Sequence, residues 1–249
     1  MDEAIIIITG SSRGIGAATA LLASRRNYAV CVNYRSNRDA AQQVVDAILK
    51  QGGRAVAIQA DVSVESDVIR LFDSCEESLG KPRAVVNNAG VLESQMRFEH
   101  MQVDRWRRVM DTNIIGTFLC AREAVRRMST RNGGAGGAIV NLSSGAARLG
   151  SPGEYVDYAA TKGAIDTLTV GLAKEVAAEG IRVNAVRAGF IYTDMHASGG
   201  EPGRVDRLKD TIPMRRGGSP EEVSEAILWL LSDAASYVTG TFIDVTGGR

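Results

Sequence analysis

Histidine and cysteine are scarce in this sequence: two histidines and three cysteines in 249 residues. Cys31, Cys75 and Cys120 are scattered and odd in number, which argues against a disulfide framework and reads as small core residues in a reducing, cytoplasmic setting. His100 and His196 stand apart from any Cys/His cluster, so no metal site is expected. Excess charge is also missing. Lys plus Arg and Asp plus Glu each number 29, so the electrostatic footprint of a nucleic-acid binder is absent. No apolar run approaches the roughly 20 residues that span a bilayer, and no membrane segment is expected. The opening MDEA is acidic and leads into only five apolar residues, which does not read as a signal peptide. What remains is a chain 45% hydrophobic, able to bury a sizeable core.

Short β-branched runs alternate with longer amphipathic stretches. The predicted strands are 4–8, 28–34, 54–60, 83–87, 138–143, 181–186 and 241–245, and between them lie helical patterns such as DAAQQVVDAILKQGG, closed by a glycine pair. This alternation argues for parallel pairing with helices covering both faces. No 20- to 50-residue period recurs, which excludes a solenoid. RNGGAGG (131–137) reads as a loop before a strand rather than as a linker, so one catalytic domain over 1–249 is expected. The segment at about 194–216 is rich in Gly, Pro and charge and breaks the alternation, as an inserted substrate lid would.

Directly after the first apolar run comes TGSSRGIG (9–16), a G-x-x-x-G-x-G arrangement between a strand and a helix. It is a spacing variant of the dinucleotide fingerprint. Gly10 would allow the sharp turn, Gly14 the close approach of a pyrophosphate, and Gly16 close packing of helix on strand, with the helix N-terminus facing the phosphates. Gly10, Ser12, Arg13, Gly14, Ile15 and Gly16 are therefore expected against the cofactor. An NAD-preferring site places an acid about 20 residues on. Here VNYRSN supplies Asn33, Arg35 and Ser36 and no acid, and Arg35 with Arg13 could pair with a 2′-phosphate. NADP(H) is thus expected over NAD(H).

Near residue 140 the chain reads NLSSGAARLGSPGEYVDYAATKGAI. Tyr158 and Lys162 are four apart at the opening of a predicted helix and share a face. An ammonium beside a phenol favours the phenolate, so the Tyr158 pKa is expected to fall toward neutrality, fitting it for general acid–base work. Ser144 could bond the same substrate oxygen. Tyr155 has Ala159 four residues on and lacks the partner.

In order and spacing, TGSSRGIG, Asp61-Val62, Asn87-Asn88-Ala89-Gly90, Asn113, Ser144, Tyr158 and Lys162 resemble the short-chain dehydrogenase/reductase family over essentially the whole chain, ending in YVTGTFIDVTGG. The resemblance implies an α/β fold: a single Rossmann-type doubly wound domain with a seven-stranded, mainly parallel sheet. It also implies a homotetramer and a role for each residue. Asp61 and Val62 would meet adenine, with Asn88, Ala89 and Gly90 beside the cofactor. Asn113 would anchor a relay water and Ser144 orient a carbonyl. Tyr158 would give the proton, while Lys162 tunes it and bonds the nicotinamide ribose. Gly189, Ile191 and Thr193 would lie at the nicotinamide end. Ala188 stands where the family usually has proline, which implies a looser loop. The Ser144–Tyr158 interval is one residue longer than in many members, so Ser143 competes with Ser144 for the catalytic role, and Ser144 is favoured.

The resemblance is nearest to 3-oxoacyl-(acyl-carrier-protein) reductases and sugar 1-dehydrogenases. The expected reaction is hydride exchange between a nicotinamide and a small carbonyl or secondary alcohol, with a 3-oxoacyl thioester on acyl-carrier protein or CoA, or a sugar or polyol, as substrate. Arg126, Arg127 and Arg131 could offer an acidic carrier a basic surface. The segment 194–216 holds few large apolar groups and no aromatics, which argues against a bulky steroid. A non-catalytic dinucleotide sensor is the reading from another class. Ala226, Ile227, Leu230 and Leu231 fall at helical spacing and read as core, and the resemblance implies that Trp229 lies near a subunit interface.

Overall fold

The first strand, AIIII, has no polar face, and such a strand is stable only in the middle of a sheet covered on both sides. The structure, a computed structural model, describes residues 3–249 and places it there. The elements run β1 (Ala4–Ile8), α1 (Gly14–Arg25), β2 (Tyr28–Tyr34), α2 (Arg38–Lys50), β3 (Ala55–Gln59), α3 (Glu65–Ser78), β4 (Ala84–Asn87), α4 (Val103–Met110), α5 (Gly116–Met128) and β5 (Gly137–Ser144). They continue with α6 (Ala146–Leu149), α7 (Val156–Val176), β6 (Ile181–Ala188), α8 (Met195–Ser198), α9 (Arg204–Leu208), α10 (Pro220–Leu231) and β7 (Phe242–Val245). A π-helical turn, Asp111–Ile115, joins α4 to α5.

All seven strands pair in parallel, in the order β3-β2-β1-β4-β5-β6-β7. The predicted strands match within two residues at each end. β6 runs on through Ala188, which pairs with Ser144 of β5 and Val245 of β7. Ala188 is therefore the last rung of a ladder rather than part of a looser loop; no proline ring interrupts the extended run there.

Alternate residues of the central strands feed two cores. Ile6, Ile8, Val30, Val32, Val86 and Val140 face α1, α2 and α10, while Ile7, Cys31, Val85, Ile139 and Val183 face α3, α5 and α7. The period of two along each strand makes this division. Cys31, Cys75 and Cys120 are all free, all buried and all in the second core. Ile227, Leu230 and Leu231 of α10 are buried in the first core and Ala226 packs against it, while Trp229 is exposed. The α10 helix begins with Pro220 behind a reciprocal cap between Ser219 and Glu222.

The order reverses between β1 and β4. From β1 the chain winds outward to β3, then crosses to β4 and winds outward to β7. Loops leaving the carboxyl ends of β1 and β4 diverge and leave a crevice, where an open α/β sheet places its ligand. Among the described residues, no helix is long and apolar enough to cross a membrane, and no group of three His, Cys, Asp or Glu could hold a metal ion.

Candidate active site

A cleft of about 620 Å³ opens at this crevice. Of the residues expected at the site, Gly10, Ser12, Arg13, Gly14, Ile15, Asn33, Arg35, Ser36, Asp61, Val62, Asn88, Ala89 and Gly90 line it. So do Ser144, Tyr158, Lys162, Gly189, Ile191 and Thr193. Gly16 and Asn113 do not.

The glycine loop is held from three sides. Thr9 Oγ1 accepts the N–H groups of Asn88 and Ala89, both at 3.0 Å, and Asn88 Nδ2 donates to the carbonyls of Thr9 (2.8 Å) and Gly10 (3.0 Å). The Gly10 N–H donates to Asn33 Oδ1 at 3.0 Å. Gly10 has φ 61°, and a Cβ there would lie 2.9 Å from Ala89 Cα. A Cβ on Gly16 would come within 2.5 Å of Asn88 Nδ2, so Gly16 serves packing beneath the loop rather than the cleft surface. The first turn of α1 contains no acid and its cap, Arg13, gives no side-chain bond. The free N–H groups of that turn thus remain for an anion, and this cradle fits a dinucleotide pyrophosphate.

Asn33 departs from expectation. Its Nδ2 donates to the carbonyls of Ile58 (3.3 Å) and Ala60 (3.1 Å), and its Oδ1 is held by Gly10. The side chain is spent on positioning the loop, because at 2% exposure it must satisfy its amide inside the protein. Arg13 and Arg35 are exposed at the cleft mouth, and among the described residues no carboxylate pairs with either. Asp61 Oδ1 caps the Ser63 N–H at 3.0 Å and takes the Ser63 hydroxyl at 2.6 Å.

At the opposite end, Ser144 closes β5 and Tyr158 and Lys162 lie on the first turns of α7. Ser144 and Tyr158 line the same end of the cleft, and Lys162 Nζ sits 5.5 Å from the Tyr158 ring centroid. Ser143 donates to Asp166 Oδ1 at 2.6 Å and is only 2% exposed. Ser144 makes one long bond to the Ala188 carbonyl (3.4 Å) and accepts the Ala146 N–H. Both serines line the cleft, and Ser144 is the less firmly held of the two hydroxyls.

The Tyr158 pKa moves opposite to expectation. Burial pushes it up to about 12, with the Ser144 hydroxyl opposing. Lys162 is lowered to about 8 by burial, with Asp166 opposing. Desolvation penalises the charged form of both groups. Lys162 Nζ also points one donor at the Leu142 carbonyl, 2.7 Å away. Tyr158 is therefore a protonated phenol across the neutral range, the form an acid needs.

Asn113 is fully buried in the π-helical turn. Its Oδ1 accepts the Val91 N–H (2.8 Å), and its Nδ2 donates to the Val91 carbonyl (3.1 Å) and Thr161 Oγ1 (3.2 Å). Its carbonyl takes the Thr117 hydroxyl at 2.9 Å. With its side chain fully engaged, Asn113 fixes the loop at Val91. Only the second lone pair of its carbonyl is left for the relay water expected of it.

The basic patch also lies elsewhere. Helix α5 starts beside the site and runs back toward the amino end of β5, so Arg126, Arg127 and Arg131 sit at the end of the sheet opposite the crevice. There Glu123, Asp73, Glu76 and Glu179 pair with them. Residues missed in the sequence complete the wall: Leu92, Leu149, Tyr155, Phe190, His196 and Arg204. Tyr155, set aside for lack of a lysine, donates to the Gly199 carbonyl at 3.3 Å. Arg204 stacks on the Tyr155 and Phe190 rings at 4.9 and 5.4 Å and pairs with Glu154 and Glu201. The break in alternation at 194–216 was the available signal for His196 and Arg204.

Residues 10–249 match the family described as enoyl-(acyl carrier protein) reductase. An uncharacterised oxidoreductase of Escherichia coli, YgfF, is 61% identical over 99% of this chain and 100% of its own. Glucose 1-dehydrogenase 2 of Bacillus subtilis is 40% identical over 97% of this chain and 93% of its own. A mutant of a Serratia marcescens short-chain dehydrogenase/reductase superposes with a TM-score of 0.90 at 31% identity, covering 98% of this chain and 97% of its own.

The lowered Lys162 pKa has a consequence for stability. Between about 8 and the ordinary value of 10.5 the unfolded chain holds a proton that the folded chain has released. Stability then rises with pH across that window, by on the order of 1 kcal/mol per pH unit from this group. Urea unfolding at pH 8 and pH 10 should show this gain in the native sequence relative to Lys162→Met. Equal pH slopes in the two proteins would contradict it.

Proposed function

The chain belongs to the short-chain dehydrogenase/reductase family, and from that premise we propose that it is an NADP(H)-dependent oxidoreductase acting on a small carbonyl or secondary alcohol. The observation that carries this is the convergence of Ser144, Tyr158 and Lys162 at one end of a cleft whose other end is lined by Arg13 and Arg35.

When bound, the dinucleotide supplies the hydride. Ser144 directs its hydroxyl at the substrate carbonyl oxygen, giving up its long bond to Ala188. Tyr158, held protonated by burial, donates its phenolic proton to that oxygen as charge develops. Lys162 retains two N–H donors beyond the one given to Leu142, enough to hold a ribose hydroxyl while placing positive charge beside the phenol. The free N–H groups of α1 hold the pyrophosphate. Arg35 and Arg13, neither paired with a carboxylate among the described residues, take the 2′-phosphate.

The favoured substrate is a free 3-oxoacyl thioester or similar β-keto compound. The likeness to a 3-oxoacyl-[acyl-carrier-protein] reductase of Synechocystis, 37% identical over 98% of this chain, supports a 3-oxoacyl carbonyl. The position of Arg126, Arg127 and Arg131, at the end of the sheet opposite the crevice, speaks against a carrier protein docked on them. A second reading, oxidation of a sugar or polyol, is favoured by the hydrogen-bonding groups of Ser151, His196 and Ser198 in the wall and by the likeness to a glucose 1-dehydrogenase. The three free thiols suit a reducing, cytoplasmic compartment. Self-association into a homotetramer is supported by Val103, Met110, Ile115 and Phe118, which leave apolar side chains 42 to 52% exposed along α4, the π-helical turn and α5.

Tyr158→Phe should lower kcat by about 10²-fold or more in an NADPH-oxidation assay with acetoacetyl-CoA. Near-native turnover would remove Tyr158 from the mechanism, and NADP⁺ reduction with glucose but no oxidation with the thioester would move the substrate to the second reading. Arg35→Ala should raise the KM for NADPH roughly tenfold, the worth of one charge-assisted bond, while leaving NADH unaffected. An equal effect on both cofactors would show that Arg35 meets no phosphate. Light scattering should give about four times the 26.5 kDa chain mass, reduced in Phe118→Glu; a monomer in both would refute the assembly.

A further inference from the structure

Asp157 immediately precedes Tyr158, in the first turn of α7, and it is only 5% exposed. Such a carboxylate needs a partner. Arg105, on the buried face of α4 and also 5% exposed, supplies it as a fork: Nε donates to Oδ2 at 2.6 Å and Nη2 to Oδ1 at 3.2 Å. The remaining arm, Nη1, donates to the Ser94 carbonyl. Asp157 Oδ1 in turn accepts the backbone N–H of Tyr158 at 2.9 Å.

One guanidinium thus ties together three elements that surround the reacting position: α4, the loop carrying Val91 and Leu92 into the cleft wall, and the first turn of α7. The residue at the start of that helix, Tyr155, provides no side-chain cap, so the Asp157 carboxylate does the capping. Ser94 lies next to the 194–216 segment, since a Cβ on Gly200 would sit 3.6 Å from its hydroxyl. We propose that Arg105 is a positioning residue for proton transfer, acting through the Asp157 carboxylate to set the place of the Tyr158 phenol against the substrate oxygen.

Stability alone is a poor reason for this pair. A buried ion pair is often replaced by apolar residues of similar volume without loss of stability, whereas its geometry is far more directional than an apolar contact. An arginine fork held at three points admits little rotation of the carboxylate, and hence of the peptide that begins Tyr158. A misplacement near 1 Å at a reacting group can cost about 10²-fold in rate, so the fork matters even where folding does not need it.

The inference takes its readout from the reductase reading, and the experiment separates the two. The double variant Arg105→Met/Asp157→Leu keeps the buried volume apolar and filled, and Arg105→Lys keeps the charge but loses the fork. Each is compared with the unsubstituted protein in kcat, in NADPH affinity by fluorescence, in thermal midpoint, and in the primary isotope effect with 4-deuterated NADPH. Expected for the double variant are a thermal midpoint close to the original, unchanged NADPH affinity, kcat lower by roughly tenfold or more, and a larger isotope effect as the chemical step becomes limiting. Arg105→Lys should show the same pattern with a smaller loss, and it carries the test if the double variant does not fold. A folded variant with native kcat and isotope effect would overturn the proposal. So would a kcat loss matched by equal losses in NADPH affinity and thermal midpoint, which marks a structural role. Absence of turnover by the unsubstituted protein on both thioester and sugar substrates would overturn the catalytic reading, and this one with it.

Discussion

The hydroxyl of Thr9 holds the site together. It accepts two backbone N–H groups from the start of the loop after β4 and donates to the Val86 carbonyl, so it joins the ends of the two strands between which the sheet reverses. Asn88 answers by donating to the carbonyls of Thr9 and Gly10. If these ends drifted apart, the glycine loop would lose its support from Asn88 and the crevice its shape. Gly10 is dictated by the same closeness, since any Cβ would meet the Ala89 backbone. A polar lock at this point suits a buried position where every backbone group needs a partner and no regular ladder can supply one.

Burial sets the chemistry of the other end. The ordinary pKa values of Tyr158 and Lys162 lie close together, and removal from water drives them apart, up to about 12 and down to about 8. Both moves favour the neutral forms. The phenol is left as a proton donor, and the lysine is left with a charge whose cost is partly met by Asp166. Asp166 is itself tied to Ser143 and to Arg187, which donates through Nε at 3.0 Å. Ser143 and Ser144 thus divide the work on adjacent positions of β5. Ser143 anchors the charge network behind Lys162, and Ser144 keeps only a long bond to the Ala188 carbonyl.

The wall beyond Tyr158 is built from pieces distant in sequence. Arg204, stacked between Tyr155 and Phe190, and the carboxylates of Glu154 and Glu201 fasten the 194–216 segment onto the loop before α7. This gives the cleft an aromatic and cationic flank that the composition of the segment alone does not disclose, since both rings come from outside it.

Strand positions were readable because a strand between two helical layers must be apolar on both faces, and such runs stand out along the chain. The glycine loop and the Tyr158–Lys162 pair were readable because each is a local pattern whose geometry follows from one turn or one helix. Partners far apart in the chain were not. Asn33 meets Gly10 across 23 residues, and Arg105 meets Asp157 across 52. Nothing in the spacing of either pair marks them as neighbours. The sequence by itself determined the layered parallel fold, the glycine turn after the first strand and the shared helix face of Tyr158 and Lys162, because those depend on short-range periodicity and backbone freedom. Only the tertiary structure decided that Asn33 and Asn113 brace loops, that Ser143 is tied to Asp166 while Ser144 keeps only a long bond to Ala188, and that Tyr158 holds its proton. Those outcomes depend on which groups are removed from water together, and burial is a property of the assembled fold.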